Sequence, residues 1–151
     1  MENNPGRKGD VELFMSGNCF YATYQPTLLQ AIQEVLERLP EEAFETLVTE
    51  RDIHIFFPES NANTVYLMND VMPPNAELRT KPRWFVQLAD YLNSSSHMKV
   101  VGTIAREFAH VYLKQAGLPS NIKDLEEEKA DDLAITWGFE QEIAASKEQK
   151  D

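Results

Sequence analysis

The sequence predicts an α+β domain: a leading helix, a small three-stranded, mostly antiparallel sheet, and two closing helices. Three observations carry this. Leu28, Leu29, Ile32, Val35, Leu36 and Leu39 recur at helical spacing. The period then falls to two in DIHIFF (52–57), followed by the β-branched and aromatic runs NTVYLM (63–68) and RWFVQL (83–88). Helical spacing returns from about Met98 to Gly117 and from about Ile122 to Gln141.

Taken in order, residues 1–10 (MENNPGRKGD) have no apolar periodicity and read as a flexible start. A single domain is expected over 11–142, with a polar C-terminal tail at 143–151. Pro26 suits the first turn of the leading helix, which Pro40 ends. Pro40, Glu41 and Glu42 then suit a second, short helix by geometry and by dipole. ESNAN (59–63) is short enough for a hairpin, whereas NDVMPPNAELRTKP (69–82) is a long surface loop of the kind that borders a cleft. Gly138 sits near the end of the last helix.

At 151 residues the chain has the size of one domain, and its formal charge of −11 repels nucleic-acid phosphates and anionic membrane surfaces. Cys19 is the sole cysteine, so no internal disulfide forms and a reducing cytoplasm is the expected compartment. Residues 1–10 are too polar for a signal peptide, and no apolar run approaches the roughly 20 residues of a membrane span.

The chemistry gathers on the two closing helices. Val100, Val101, Ile104, Ala105, Phe108, Ala109, Val111, Tyr112 and Leu113 cover most of the first, which marks it as central and buried. Its polar residues Thr103, Arg106, Glu107, His110 and Lys114 share one wedge of roughly 100°, because positions three, four and seven apart stack. On the last helix Ala130, Leu133, Ala134 and Trp137 form an apolar stripe. Glu127 and Asp131 lie beside it, while Glu128, Lys129 and Asp132 point to solvent.

AREFAHVYL followed by EEKAD resembles the compact gluzincin type of zinc metallopeptidase, where His-Glu-x-x-His precedes a Glu-x-x-Ala-Asp motif on the next helix. The resemblance covers roughly 50–140 and implies a minimal zincin-like domain, with an active-site helix and a glutamate helix. It makes His110 and Glu127 metal ligands, Glu107 the general base and Asp131 a carboxylate that orients a ligand imidazole. Arg106 departs from the pattern, standing where the first zinc histidine belongs.

A catalytic zinc takes three protein ligands, and a guanidinium has no lone pair to give. No cofactor is therefore expected, and Glu107 would be idle without metal-bound water to activate. Arg106 instead supplies a cation to the same face, able to bridge Glu127 or Asp131 in place of the metal. The expected function is a catalytically inactive, metallopeptidase-like domain that binds a protein or peptide, with RWFVQL as the strand offered for β-addition. The alternative is an active zinc peptidase using His110, Glu127 and a non-standard third ligand. His54, alternating with apolar residues in a strand, and His97, in a loop before the central helix, read as structural and solvated respectively, and either can stand in as that ligand. An unrelated acidic α+β domain is the third possibility, distinguished by the lack of an antiparallel edge strand over the 100–116 helix. Cys19 reads as a small buried hydrophobe, and Trp84, Phe85, Trp137 and Phe139 as core. No phosphate loop, Gly-x-Ser-x-Gly elbow or Cys-x-x-Cys pair competes.

Overall fold

The computed structural model describes residues 5–21, 25–57, 64–68, 83–115 and 120–147. The hairpin expected at ESNAN and the surface loop expected over 69–82 lie outside these residues. Helix α1 (Pro5–Gly17) is followed by β1 (Cys19–Tyr21), α2 (Pro26–Arg38), α3 (Glu41–Glu45), a π-helical turn over Thr46–Glu50, and β2 (Ile53–Phe57). Then come β3 (Thr64–Met68), β4 (Arg83–Gln87), a 3-10 turn over Asp90–Ser94, α4 (His97–Tyr112), α5 (Ser120–Thr136) and α6 (Glu140–Ser146).

The mixed helix-and-sheet class holds, but the sheet departs from the expectation. Among the described residues it has four strands in the order β1-β2-β4-β3, with β1–β2 and β2–β4 parallel and β3–β4 antiparallel. The physical reason lies in the connections. Parallel strands need a crossover of a dozen or more residues, which α2 and α3 supply between β1 and β2. β4 inserts between β2 and β3, so the expected β2–β3 hairpin does not pair. RWFVQL is consequently an interior strand, and strand addition to it is ruled out; β3 is the antiparallel edge.

Two end segments also differ. Residues 5–10 are helical rather than a flexible start, because Val11 and Phe14 are buried and Arg7 ties α1 down. Arg7 Nη1 donates to Leu39 O at 2.7 Å and lies over the Phe44 ring at 4.3 Å, satisfying carbonyls at the end of α2. At the other end, Gly138 takes φ +106 and breaks the expected single helix into α5 and α6. Residues 143–146 are thus helix with Ile143 in the core, not a tail.

The core lies between the inner face of the sheet and the helices. Ile53, Ile55, Trp84 and Val86 face it, together with Leu28, Ile32, Val35 and Leu36 of α2 and Ile104, Phe108 and Val111 of α4. As expected for the most apolar helix, α4 is central and packs on α2, α5 and α6. Gly102 is what allows the last contact: a Cβ there would sit 2.0 Å from the Glu142 carbonyl oxygen. Cys19 is buried, which pushes its thiol up to about 12 and leaves it an inert hydrophobe. No helix among the described residues is long and apolar enough to cross a membrane.

Candidate functional site

The inward wedge of α4 meets α5 as the spacing predicts. Thr103, Glu107 and His110 are buried on α4, and Asp131 is buried on α5 beside Ala130 and Ala134. Glu128, Lys129 and Asp132 are exposed. Of the nominated pair, Asp131 turns fully inward, while the Glu127 side chain stays 41% exposed at the mouth.

Arg106 reaches across to α5. Its Nε donates to Asp131 Oδ1 at 2.6 Å, with side-chain exposures of only 15% and 8%. Nη2 donates to Ser146 Oγ at 2.7 Å, and that hydroxyl in turn donates to Ile143 O at 2.7 Å. Lys147 Nζ meets the second Asp131 oxygen at 3.0 Å. The carboxylate therefore sits between two cations, one from α4 and one from just beyond α6, a strong charge-assisted arrangement in a half-dry setting.

One turn further along α4, His110 Nδ1 lies 2.7 Å from Gln115 Oε1, and Nε2 faces Glu127 Oε1 at 3.6 Å. Gln115 gets there through the way α4 ends. Lys114 adopts φ +61, a left-handed C-terminal turn, and Gln115 N then donates to His110 O at 2.8 Å. Because an amide oxygen only accepts, the Gln115 contact favours a proton on Nδ1, and the Glu127 carboxylate facing Nε2 favours one there as well. Arg51 completes the end of the helix, donating to the carbonyls of Val111 and Tyr112 at 3.2 and 2.9 Å.

Burial dominates the electrostatics. It drives the Glu107 carboxyl up to about 7, helped by the charges of Glu127 and Asp131 and opposed by His110 and Arg106. For His110 burial disfavours the cation, yet the facing Glu127 carboxylate, the Glu107 charge and the Gln115 carbonyl outweigh it and raise the imidazole above its ordinary value. Arg106, Glu107, His110, Glu127 and Asp131 are thus brought to one place.

The two other histidines lie elsewhere. His54 Nε2 pairs with Asp52 at 3.0 Å on the outer side of the sheet. His97, the first residue of α4 rather than a loop residue, pairs with Glu34 at 2.6 Å. It stands about 20 Å along the helix axis from His110, too far to share a ligand sphere. Among the described residues no group of three or more His, Cys, Asp or Glu side chains is gathered at metal-holding distance.

Sequence reasoning missed Gln115, Ser146 and Lys147. A left-handed residue after a helix end carries little signal when it is lysine, and the other two lie in what reads as a polar tail. In comparisons with known proteins, no family model, no curated protein and no solved structure matches the chain.

Proposed function

We propose that the chain is a metallopeptidase-like, zincin-type domain without peptidase chemistry, in which a guanidinium stands in for the metal and the domain binds a protein or peptide. The observation that carries this reading is the 2.6 Å contact of Arg106 Nε with Asp131 Oδ1. A carboxylate that would otherwise orient a zinc ligand is neutralised by the residue that occupies the first ligand's place. The donor set does not fit a catalytic zinc: His110 and Glu127 are two ligands where three are needed, and the third position holds a permanent cation. Glu107 keeps the general-base position with no metal-bound water to act on.

The topology supports the same reading. Among the described residues β3 is an antiparallel edge strand and lies against α4, so the lack of such a strand, which would mark an unrelated α+β domain, is not found. Its outer backbone edge, unpaired among the described residues, is suited to pairing with an extended peptide, whose main chain would supply the hydrogen bonds.

Metal analysis of the purified protein after equilibration with zinc is the direct test. The expected result is no stoichiometric zinc in the natural chain and its gain in Arg106→His. One tightly bound zinc per natural chain, together with peptidase activity lost in Glu107→Gln, would overturn the proposal. For the binding half, a proline placed in β3 is expected to abolish peptide binding, and undiminished binding would sink it.

A further inference from the structure

The outer face of the sheet is unlike its inner face. Alternation along β2 and β4 buries Ile53, Ile55, Trp84 and Val86, and turns His54, Phe56 and Phe85 outward. β1 adds Phe20, whose register partner is Phe56, while His54 pairs in register with Phe85. The four rings close into a square. Phe20 stacks on His54 at 5.8 Å, His54 meets Phe85 at 5.6 Å, Phe85 meets Phe56 at 5.3 Å, and Phe56 returns to Phe20 at 5.5 Å. Phe20 and Phe56 are nevertheless 46% and 38% exposed. Two large phenyl rings left open side by side cost hydration free energy unless something covers them.

We infer that this face is a docking surface for an arginine- or lysine-bearing segment of a partner protein, seated on Phe20, His54, Phe56 and Phe85. Charge selects the occupant. The net charge of −11 attracts cationic segments and repels both nucleic-acid phosphates and a second copy of the chain. At the margin of the square, Asp52 stands with φ +51, a left-handed position for a residue other than glycine, and its carboxylate contacts His54 at 3.0 Å and Arg83 at 3.7 Å. One oxygen of that carboxylate faces His54 and the other faces Arg83 across a long 3.7 Å, so a cation lying over the rings competes with Arg83 for it. The chain itself shows how such a cation sits: Arg7 lies 4.3 Å over Phe44 and Arg38 4.4 Å over Phe139. The inference does not rest on the zincin-like reading, since these residues lie on the far side of the sheet from α4.

The test titrates the isotope-labelled full chain with a synthetic twelve-residue Arg-Gly repeat, and in parallel with a Glu-Gly repeat and a single-stranded thymidine oligonucleotide. The expected result is that only the arginine peptide binds and shifts the amides of residues 20, 54, 56 and 85. Its affinity should fall by about tenfold in Phe20→Ala/Phe56→Ala and weaken further in Asp52→Asn. If the double variant fails to fold, Phe20→Lys serves instead, since a charge on the same exposed ring position should repel the peptide. Undiminished binding in these variants, preference for the oligonucleotide, or a concentration-dependent dimer that they dissolve would each overturn the inference. So would the absence of binding. Shifts confined to β3 would count for the edge-strand reading and against this one.

Discussion

The polar cluster between α4 and α5 and the outer face of the sheet are each a gathering of unusual side chains, but they are completed differently. Between the helices, Arg106 meets Asp131 and Ser146, Asp131 meets Lys147, and His110 meets Gln115, while burial holds Glu107 towards its uncharged form. On the sheet the four rings meet only one another, stacked or tilted at His54 and edge-on at Phe56, and Phe20 and Phe56 stay exposed. The difference teaches where to look for dependence on other molecules. Buried polar groups must be matched within the fold because an unmatched one costs several kcal/mol, whereas an open phenyl ring costs far less and is tolerated where a partner covers it.

Mutations should break this contrast on the side of the polar cluster first. Asp131→Ala leaves Arg106 largely buried with only Ser146, and is expected to cost about 3 to 5 kcal/mol in denaturant-unfolding experiments. Replacing Arg106 and Asp131 together by leucine should recover most of that loss. A double variant as unstable as the sum of the singles would show that the two do not act as a pair.

Glu107 should dominate the pH dependence. Its folded-state pKa of about 7 lies above the ordinary 4.5, so its protonated burial contributes fully below about pH 4.5 and is lost as pH rises through 7. At about 1.4 kcal/mol per pH unit this amounts to about 3 kcal/mol. His110, also raised, has the same sign, its contribution fading above its ordinary value. Glu107→Gln should therefore flatten the fall in stability between pH 4.5 and 8, and a parallel curve for the variant would refute the assignment.

Smaller effects follow. Gly102→Ala drives a methyl into the Glu142 carbonyl and should cost about 1 to 3 kcal/mol by separating α4 from α6, read as a lowered thermal midpoint. Gln115→Ala removes the acceptor at His110 Nδ1. It should lower the His110 pKa in an NMR titration and cost about 1 kcal/mol. Phe20→Ala, at an exposed position, should change stability by no more than about 0.5 kcal/mol. A large loss there would mean that the outer face belongs to the core and that the contrast is false.

Periodicity exposed the helices well: α2 and α4 lie within a residue or so of where spacing put their starts, and Glu128, Lys129 and Asp132 point outward as projected. The same spacing turns Arg106 and Asp131 towards each other, as their 2.6 Å contact bears out. What it could not give was pairing. β1 is three residues long, too short to alternate, and the parallel β2–β4 ladder is set by which strand the crossovers deliver alongside which. Nor does a helical α1 announce itself in PGRKGDVELFMSG, where three glycines and scattered charges hide Val11 and Phe14, and the tie from Arg7 to the end of α2 is not local in sequence. Phe85 illustrates the same limit at the level of one ring. Its strand was recognisable, but assignment to core or surface depends on a sheet that has only one covered face.

The backward turn at Gly138 has a consequence for assembly. Arg106 is 25 residues from Asp131 and 40 from Ser146. Closing a flexible loop costs free energy that grows only with the logarithm of its length, so reaching the more distant partner adds about 0.4 kcal/mol over the nearer one. By reversing the chain after α5, one left-handed glycine brings a second clamp to the arginine for almost no additional chain entropy.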